Sequence, residues 1–318
     1  MLKSRLCIAF FAFAVGCAPA QKPLTDYVNP MLGTATLWDS VDLGFKPTKR
    51  TWGAEVFPGS SLPNAMVQVS PVTKFHSGAG YQYEDSVIYG FTHTNKGHWN
   101  LCHIPLLPVT GTPTPGDYCS PFSHERESAA PGYYQVFLDR YGVDAQLSST
   151  LRCAFHKYTY PAGAAASLLA DLQRSNEHVR AWDIRKEGDN VFAGWQQTGE
   201  KMYFYAVANR PVTGIEPVVE GDREVRIVRF GEGDGALELR IGFSFVSEKN
   251  ARENLEAEML GKSFAEVRSE ATATWNDLLG RIRVEGGTER EKGLFYSSLY
   301  RSFLWPALRS DVNGEFTD

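Results

Sequence analysis

Between Tyr27 and about Val246 the apolar positions fall in short runs or alternate with polar ones, punctuated by Gly, Pro and Asp. Ala65 to Val69, Ile104 to Val109, Tyr133 to Asp139, Val143 to Ser148, Cys153 to Tyr160, Ala166 to Asp171, Ala181 to Lys186, Val191 to Trp195, Lys201 to Ala208, Glu224 to Arg229 and Leu237 to Phe245 all read as strands. A spacing of about 8–15 residues with little helical periodicity predicts an antiparallel β-sandwich. The run Gly231-Glu232-Gly233-Asp234-Gly235 lies between two of these strands. No helix follows it, so it reads as a hairpin turn and not as a phosphate loop.

The period changes at Ser247. Asn254, Leu255, Met259, Phe264, Val267, Ala271, Trp275, Leu278 and Leu279 recur at three- and four-residue steps among Glu, Lys and Arg. This predicts an amphipathic helical region from about Ala251 to Arg281, divided into two helices. Ile282 to Gly287 breaks the pattern with a short strand or turn. A further helix starts near Thr288 with acidic residues in its first turn and carries Leu294, Tyr296, Leu299, Tyr300 and Leu304 toward Trp305-Pro306. A helix and a loop cannot bury themselves. Residues from about 288 onward therefore read as the first piece of a helical domain, expected to be poorly ordered without the remainder.

A chain of 318 residues exceeds the usual reach of one core, roughly 250–300 residues, so two units are expected. The 13% aromatic content, with 14 Tyr and 7 Trp, suits a ring-lined β protein. A net charge of −5 without a Lys/Arg block argues against nucleic acid as a partner, because phosphate binding needs a clustered basic footprint. The N-terminus combines Lys3 and Arg5, an apolar run from Leu6 to Gly16, and small residues, which is the pattern of a secretory signal too short to span a bilayer. Two processing readings stand: cleavage after Ala18-Pro19-Ala20 for a soluble periplasmic protein, or a lipobox at Ala14-Val15-Gly16-Cys17 that would anchor Cys17 in the outer membrane through lipid. Beyond the signal only Cys102, Cys119 and Cys153 remain. An odd count allows at most one disulfide, and no C-x-x-C pair suggests a redox dithiol or structural zinc. Three buried thiols are the plainer reading.

Several motifs carry a resemblance. They are Tyr27-Val28-Asn29-Pro30-Met31-Leu32-Gly33-Thr34, Phe57-Pro58-Gly59 with Leu62-Pro63, Met66-Val67-Gln68, Ser70-Pro71, Gly80-Tyr81-Gln82-Tyr83, and Ile88-Tyr89-Gly90-Phe91-Thr92-His93. At the far end stand Phe295-Tyr296-Ser297-Ser298-Leu299-Tyr300, Pro306 and Ser310-Asp311-Val312-Asn313-Gly314. Together, in order and over essentially the whole mature chain, these blocks resemble glycoside hydrolase family 92, exported exo-acting α-mannosidases. The resemblance implies a mainly β chain: a signal peptide (1–20), an antiparallel β-sandwich or supersandwich (21–248), a helical linker (249–285) and the first helix of a truncated (α/α)6 barrel (286–318). It also implies inverting hydrolysis of α-mannosidic bonds in glycans, with calcium as cofactor. The catalytic carboxyl groups and calcium ligands would lie on the barrel beyond Asp318, so no catalytic or metal residue is nominated and the chain alone is expected to be inactive. Inversion needs two carboxyl groups about 6.5–9.5 Å apart. Neither Asp171 nor Glu177, both following the Ala166 to Ala170 strand, is nominated.

Two departures bear on specificity. Asn64-Ala65 replaces the family's usual Phe-Gly, and Thr94-Asn95-Lys96-Gly97-His98-Trp99-Asn100-Leu101-Cys102-His103 replaces a small glycine-rich loop. If that loop faces the cleft, Trp99 would stack on a sugar and His98 or Lys96 would reach hydroxyl or phosphate groups. His93, His98 and His103 recur at five-residue steps, which match neither one helical nor one strand face. A metal site, a sugar-cleft role and plain structural satisfaction all remain open for them. The substrate-binding candidates are Trp52, His93, His98, Trp99 and Trp195; Trp182 and Trp275 read as packing. The alternatives are a non-catalytic carbohydrate-binding sandwich and a sandwich-plus-barrel glycosidase acting on glucosides.

Overall fold

The computed structural model describes residues 22–36, 44, 55–95 and 102–317. The signal segment with Cys17, and the candidates Trp52, His98 and Trp99 with Lys96, lie outside the described residues. Two antiparallel sheets face each other. One has the strand order Ser60–Ser61, Gln68–Val72, Gly90–Thr92, Leu106–Val109, Ser167–Ala170, Arg223–Phe230, Val212–Glu220. The other runs Ala181–Gly188, Val191–Gln197, Lys201–Ala208, Leu237–Ser244, Cys153–Thr159, Val143–Ser149, Tyr133–Leu138, Glu127–Ala130.

Alternation sets which side of each strand is inside. In Lys201–Ala208, Met202, Phe204, Ala206 and Ala208 are buried while Lys201, Tyr203, Tyr205 and Val207 are half-buried. The buried set joins Leu239, Ile241, Phe243, Leu147, Leu168 and Ile227 in the core between the sheets. The half-buried set faces the first helix, α1 (Glu248–Glu258). Gly242 permits that contact, since a Cβ there would stand 2.1 Å from the Ala251 carbonyl oxygen.

The helical pattern resolves into α1, α2 (Phe264–Leu279) and α3 (Glu289–Ser302). The first two are separated at Gly261, whose φ of 89° ends the α-helical path. Both α2 and α3 open with full capping boxes, Ser263 with Glu266 and Thr288 with Glu291. The outer face of the eight-stranded sheet, with Tyr133, Cys153 and Phe155, is covered by Leu255, Met259, Phe264 and Val267. A separate core ties α2 and α3 to the N-terminal turn: Trp275, Leu279, Tyr296, Tyr300 and Leu304 pack with Leu24, Val28 and Phe57. Residues beyond 288 thus have partners the linear pattern did not show. Leu294 and Trp305 on the same segment are 45% and 61% exposed, so part of its apolar surface stays open.

Three expectations change. The Gly231–Gly235 run is not a hairpin turn, because the strands on either side of it belong to different sheets. It carries the chain across the sandwich; alternation reveals a strand's buried face but not its pairing partner. The strand Val212–Glu220, absent from the sequence reading, pairs only with Arg223–Phe230 at a sheet edge and is largely exposed, so it lacked an apolar signature. Of the three free cysteines, Cys102 and Cys153 are buried but Cys119 is half-buried.

The segment after α3 is pinned along one end of the sandwich. Asn64, in the left-handed region at φ 55°, donates its backbone N–H to the Phe303 carbonyl at 2.7 Å, its Nδ2 to the Pro306 carbonyl at 2.8 Å, and accepts from Leu308 N–H at 2.8 Å. Asparagine tolerates that conformation, which gives the Asn64 departure a structural use. Further on, the buried Asp311 carboxylate accepts from Ser244 Oγ at 2.6 Å, Asn250 Nδ2 at 2.8 Å and Asn254 Nδ2 at 2.7 Å. Asp311→Ala strands those donors, and urea unfolding is expected to show a loss of about 2–3 kcal/mol; an unchanged midpoint would contradict this role.

Candidate functional site

The end of the sandwich where residues 64–68, 92–95, 102–104, 171–182 and 196–200 meet is built on buried polar side chains. Asn95 Nδ2 donates to the Gln68 carbonyl at 2.8 Å and the Thr92 carbonyl at 3.0 Å, while Thr92 Oγ1 donates to Asn95 Oδ1 at 2.9 Å. Gln68 Nε2 in turn donates to the Ala65 carbonyl at 2.6 Å. The turn at 92–95 is therefore fixed by complete satisfaction of the Gln68 and Asn95 side-chain amides. Where the loop returns, Cys102 and Ile104 adopt φ of 48° and 54°. Such conformations cost about 1–3 kcal/mol and persist only when surrounding contacts impose them. Gln196 is one such contact: its Oε1 accepts from Ile104 N–H at 2.7 Å, and its Nε2 donates to the Leu172 and Arg174 carbonyls at 2.9 and 2.8 Å.

His93, His156 and His103 form two side-chain networks, linked by the His93 backbone N–H donating to the His103 carbonyl at 3.1 Å. His93 and His156 meet through their Nε2 atoms at 2.9 Å, and His156 Nδ1 lies 2.5 Å from Tyr158 Oη. Both rings are wholly buried, and burial lowers His93 to about 3 and His156 well below the usual histidine range, so both are neutral. His103 instead bridges Thr94 Oγ1 and Thr198 Oγ1, each at 3.0 Å. Among the described residues no set of three His, Cys, Asp or Glu side chains is placed to hold a metal ion. The imidazole nitrogens gathered here are not the carboxylate and carbonyl oxygen set that calcium takes. Cys102, pushed up to about 12 by burial, is an unreactive thiol.

Trp195 is not brought to His93. It pairs with Tyr203 on the outer face of its sheet, with Lys201 Nζ 3.6 Å from the ring centroid, whereas His93 lies inside against Phe243 at 4.5 Å between ring centroids. The neighbouring Gly194 serves strand packing, since a Cβ there would stand 2.0 Å from the Asp183 carbonyl oxygen.

Beside these loops opens a cleft of about 1020 Å³, lined among others by Phe75, His76, Tyr89, Arg174, Arg180 and Trp182. Behind its Arg174 stands the buried Asp171, which accepts from Tyr118 Oη at 2.6 Å and Arg223 Nη2 at 3.1 Å and lies 3.7 Å from Arg174 Nε. Burial raises the Asp171 carboxyl, opposed by Tyr118 and the two arginines. The Arg174 guanidinium sits over Phe75, Tyr89 and Tyr118 at 5.5, 5.3 and 5.9 Å from their centroids. Glu177 lines the same cleft and accepts from Gly199 N–H at 3.2 Å. Sequence reasoning missed this cleft, reading Trp182 as packing and leaving Glu177 without a nomination, because its walls come from residues about a hundred positions apart.

Comparisons with known proteins bear on this architecture. The profile of the glycosyl hydrolase family 92 N-terminal domain matches residues 27–254, and that of the family 92 catalytic domain matches residues 250–318. A protein of Arthroderma benhamiae described as an uncharacterized secreted glycosidase is 24% identical, the match covering 91% of this chain and 42% of that protein. A family 92 alpha-mannosidase of Bacteroides thetaiotaomicron, solved in complex with mannoimidazole, is 26% identical with a TM-score of 0.82, over 93% of this chain and 42% of its own. A family 92 inverting mannosidase of the same species shares the fold at a TM-score of 0.78 and 24% identity, over 92% of this chain and 41% of its own. The chain thus spans less than half the length of these relatives. With the N-terminal profile alone covering most of its residues and the catalytic profile continuing to its last, the chain belongs to glycosyl hydrolase family 92.

Proposed function

We propose that this chain supplies the sandwich wall of an exported enzyme hydrolysing α-mannosidic bonds of glycans with inversion. The observation that carries the reading is the unbroken succession of the two family profiles along one chain. The cleft agrees with it: half-buried Phe75, Tyr89 and Trp182 offer ring faces, and His76, His178 and Arg180 offer exposed hydrogen-bonding groups beside them. In this reading the two catalytic carboxyl groups and the calcium ligands belong to the barrel portion that the relatives possess beyond the matched region. Export places the protein in the periplasm or, through Cys17, on the outer membrane. The sandwich residues bind and orient the sugar, and no proton-transfer role falls on them.

The test separates binding from turnover. Calorimetry of the 318-residue chain with α-mannobiose is expected to give weak saturable binding, with a Kd on the order of 1 mM, and no mannose release. Trp182→Ala is expected to weaken binding severalfold. Absence of binding would remove the sandwich from the substrate site, and release of mannose would place the catalytic groups within this chain. Helices α2 and α3, with an exposed apolar position at Leu294, favour this reading over a free-standing carbohydrate-binding module.

A further inference from the structure

Backbone strain is concentrated in one part of the chain. Among the described residues five besides glycine adopt positive φ, namely Glu55, Asn64, His76, Cys102 and Ile104, and all fall between positions 55 and 104. Ile104 is the most unusual of them, because a β-branched side chain crowds its own backbone in that conformation. A residue stays there only where its surroundings impose it, and such residues gather at functional sites.

The group that holds Ile104 also holds the cleft. Gln196 is wholly buried; its Oε1 accepts from the Ile104 N–H at 2.7 Å, while its Nε2 donates to the Leu172 and Arg174 carbonyls at 2.9 and 2.8 Å. These partners fix the orientation of the amide, since an N–H requires the oxygen and two carbonyls require the NH2. Both carbonyls belong to the turn closed by the Arg174 N–H on the Asp171 carbonyl at 3.2 Å. Gln196 also stands opposite Trp182 in the pairing of Val191–Gln197 with Ala181–Gly188, so it backs two residues that line the cleft, Arg174 and Trp182, without lining it itself. Two positions past Arg174, Asn176 makes a similar tie: its Oδ1 accepts from the His76 N–H at 2.7 Å and its Nδ2 donates to the Ser77 carbonyl at 3.0 Å. The wall at 172–176 is thus bonded to Ile104 through Gln196 and to His76 through Asn176, and both of those residues stand at positive φ.

We propose that Gln196 is a positioning residue of the cleft: its one amide locks the wall at Arg174 to the strained return at 102–104, so that a ligand seated in the cleft tightens a return it does not touch. The inference rests on the preceding reading of the cleft as sugar-binding and adds to it a residue outside the lining. The route is short. Displacing the turn at 172–174 draws Nε2 with it, the planar amide carries Oε1 away from the Ile104 N–H, and Ile104 loses the bond that offsets its conformation. A ligand resting on Arg174 and Trp182 suppresses that local opening.

Site-resolved hydrogen exchange of the 318-residue chain, with and without saturating α-mannobiose, tests it. The Ile104 amide is expected to exchange at least about fivefold more slowly with the ligand, beyond any slowing shared by the strand Leu237–Ser244. In Gln196→Met, which has a similar length and makes none of these hydrogen bonds, that extra slowing is expected to vanish and the affinity for α-mannobiose to fall about tenfold. Gln196→Glu, whose carboxylate still accepts from Ile104 but donates to neither carbonyl, is expected to do the same, and the measurement on the unaltered chain stands even if neither variant folds. Binding that slows Ile104 no more than the strand would overturn the inference and leave the mannoside reading intact. So would variants that lose stability in urea yet keep their affinity and the extra slowing, since that is the behaviour of a purely structural glutamine. Failure of α-mannobiose to bind the unaltered chain would overturn both readings.

Discussion

Between pH 6.5 and 4 this protein is expected to lose stability steeply, with about two protons taken up on unfolding at the buried His93–His156 pair. An unfolded histidine titrates near 6.5, whereas burial holds His93 at about 3 and His156 well below its ordinary value. In that window the unfolded chain binds protons that the folded chain refuses, so stability rises with pH. The contribution is complete above about pH 7 and is lost as pH falls from 6.5 toward 3, at up to about 1.4 kcal/mol per pH unit for each ring. Neither ring can be charged cheaply in place: His93 packs on Phe243, its Nδ1 has no hydrogen-bond partner among the described residues, and His156 faces His93 and Tyr158. Urea unfolding at stepped pH measures the slope, and His156→Gln is expected to reduce it by about one proton. A slope that is flat, or unaltered by that substitution, would show that the pair does not control acid stability.

The second large effect is expected at Trp275. Its ring is fully buried, lies 4.4 Å from the Tyr300 ring between centroids, and its Nε1–H donates to the Ser61 carbonyl at 2.8 Å. One side chain thus joins α2, α3 and the first strand of the seven-stranded sheet. Trp275→Ala is expected to cost about 3–5 kcal/mol through the cavity and lost burial, with roughly 1 kcal/mol more for the Ser61 carbonyl left without its donor. The core of Trp275, Tyr296 and Tyr300 is separate from the one between the sheets. Hydrogen exchange in α3 should therefore accelerate more than exchange in the strands Lys201–Ala208 and Leu237–Ser244. Equal acceleration everywhere would mean that sandwich and helices unfold as one unit, and Trp275→Phe separates the two contributions by keeping the ring and removing the donor.

Both effects arise at residues whose local surroundings in the sequence did not single them out for this role. His93 was visible as a motif residue, but its partner His156 sits on a strand 63 positions away and reads there as one more alternating residue. Trp275 was legible as a buried helix position, whereas its bond to Ser61, 214 positions distant, was not. Trp195 shows the opposite failure. A ring beside Gly194 suggests a binding platform, yet strand parity puts it on the outer face under Lys201.

The one-dimensional pattern determined what depends on neighbours in the chain. Period-two alternation fixed most strands, and the three- and four-residue recurrence with the helix start near Thr288 fixed the helices. The ordered motifs from Tyr27 to Gly314 fixed the family. Only the tertiary structure decided which sheet each strand joins, how Gly231–Gly235 crosses the sandwich, and that residues 73–76, 89 and 174–182 close around one cleft. The physical reason is that burial is a property of each residue and leaves its periodic trace in the sequence. Pairing and cleft formation are relations between distant residues, chosen by the packing of the whole.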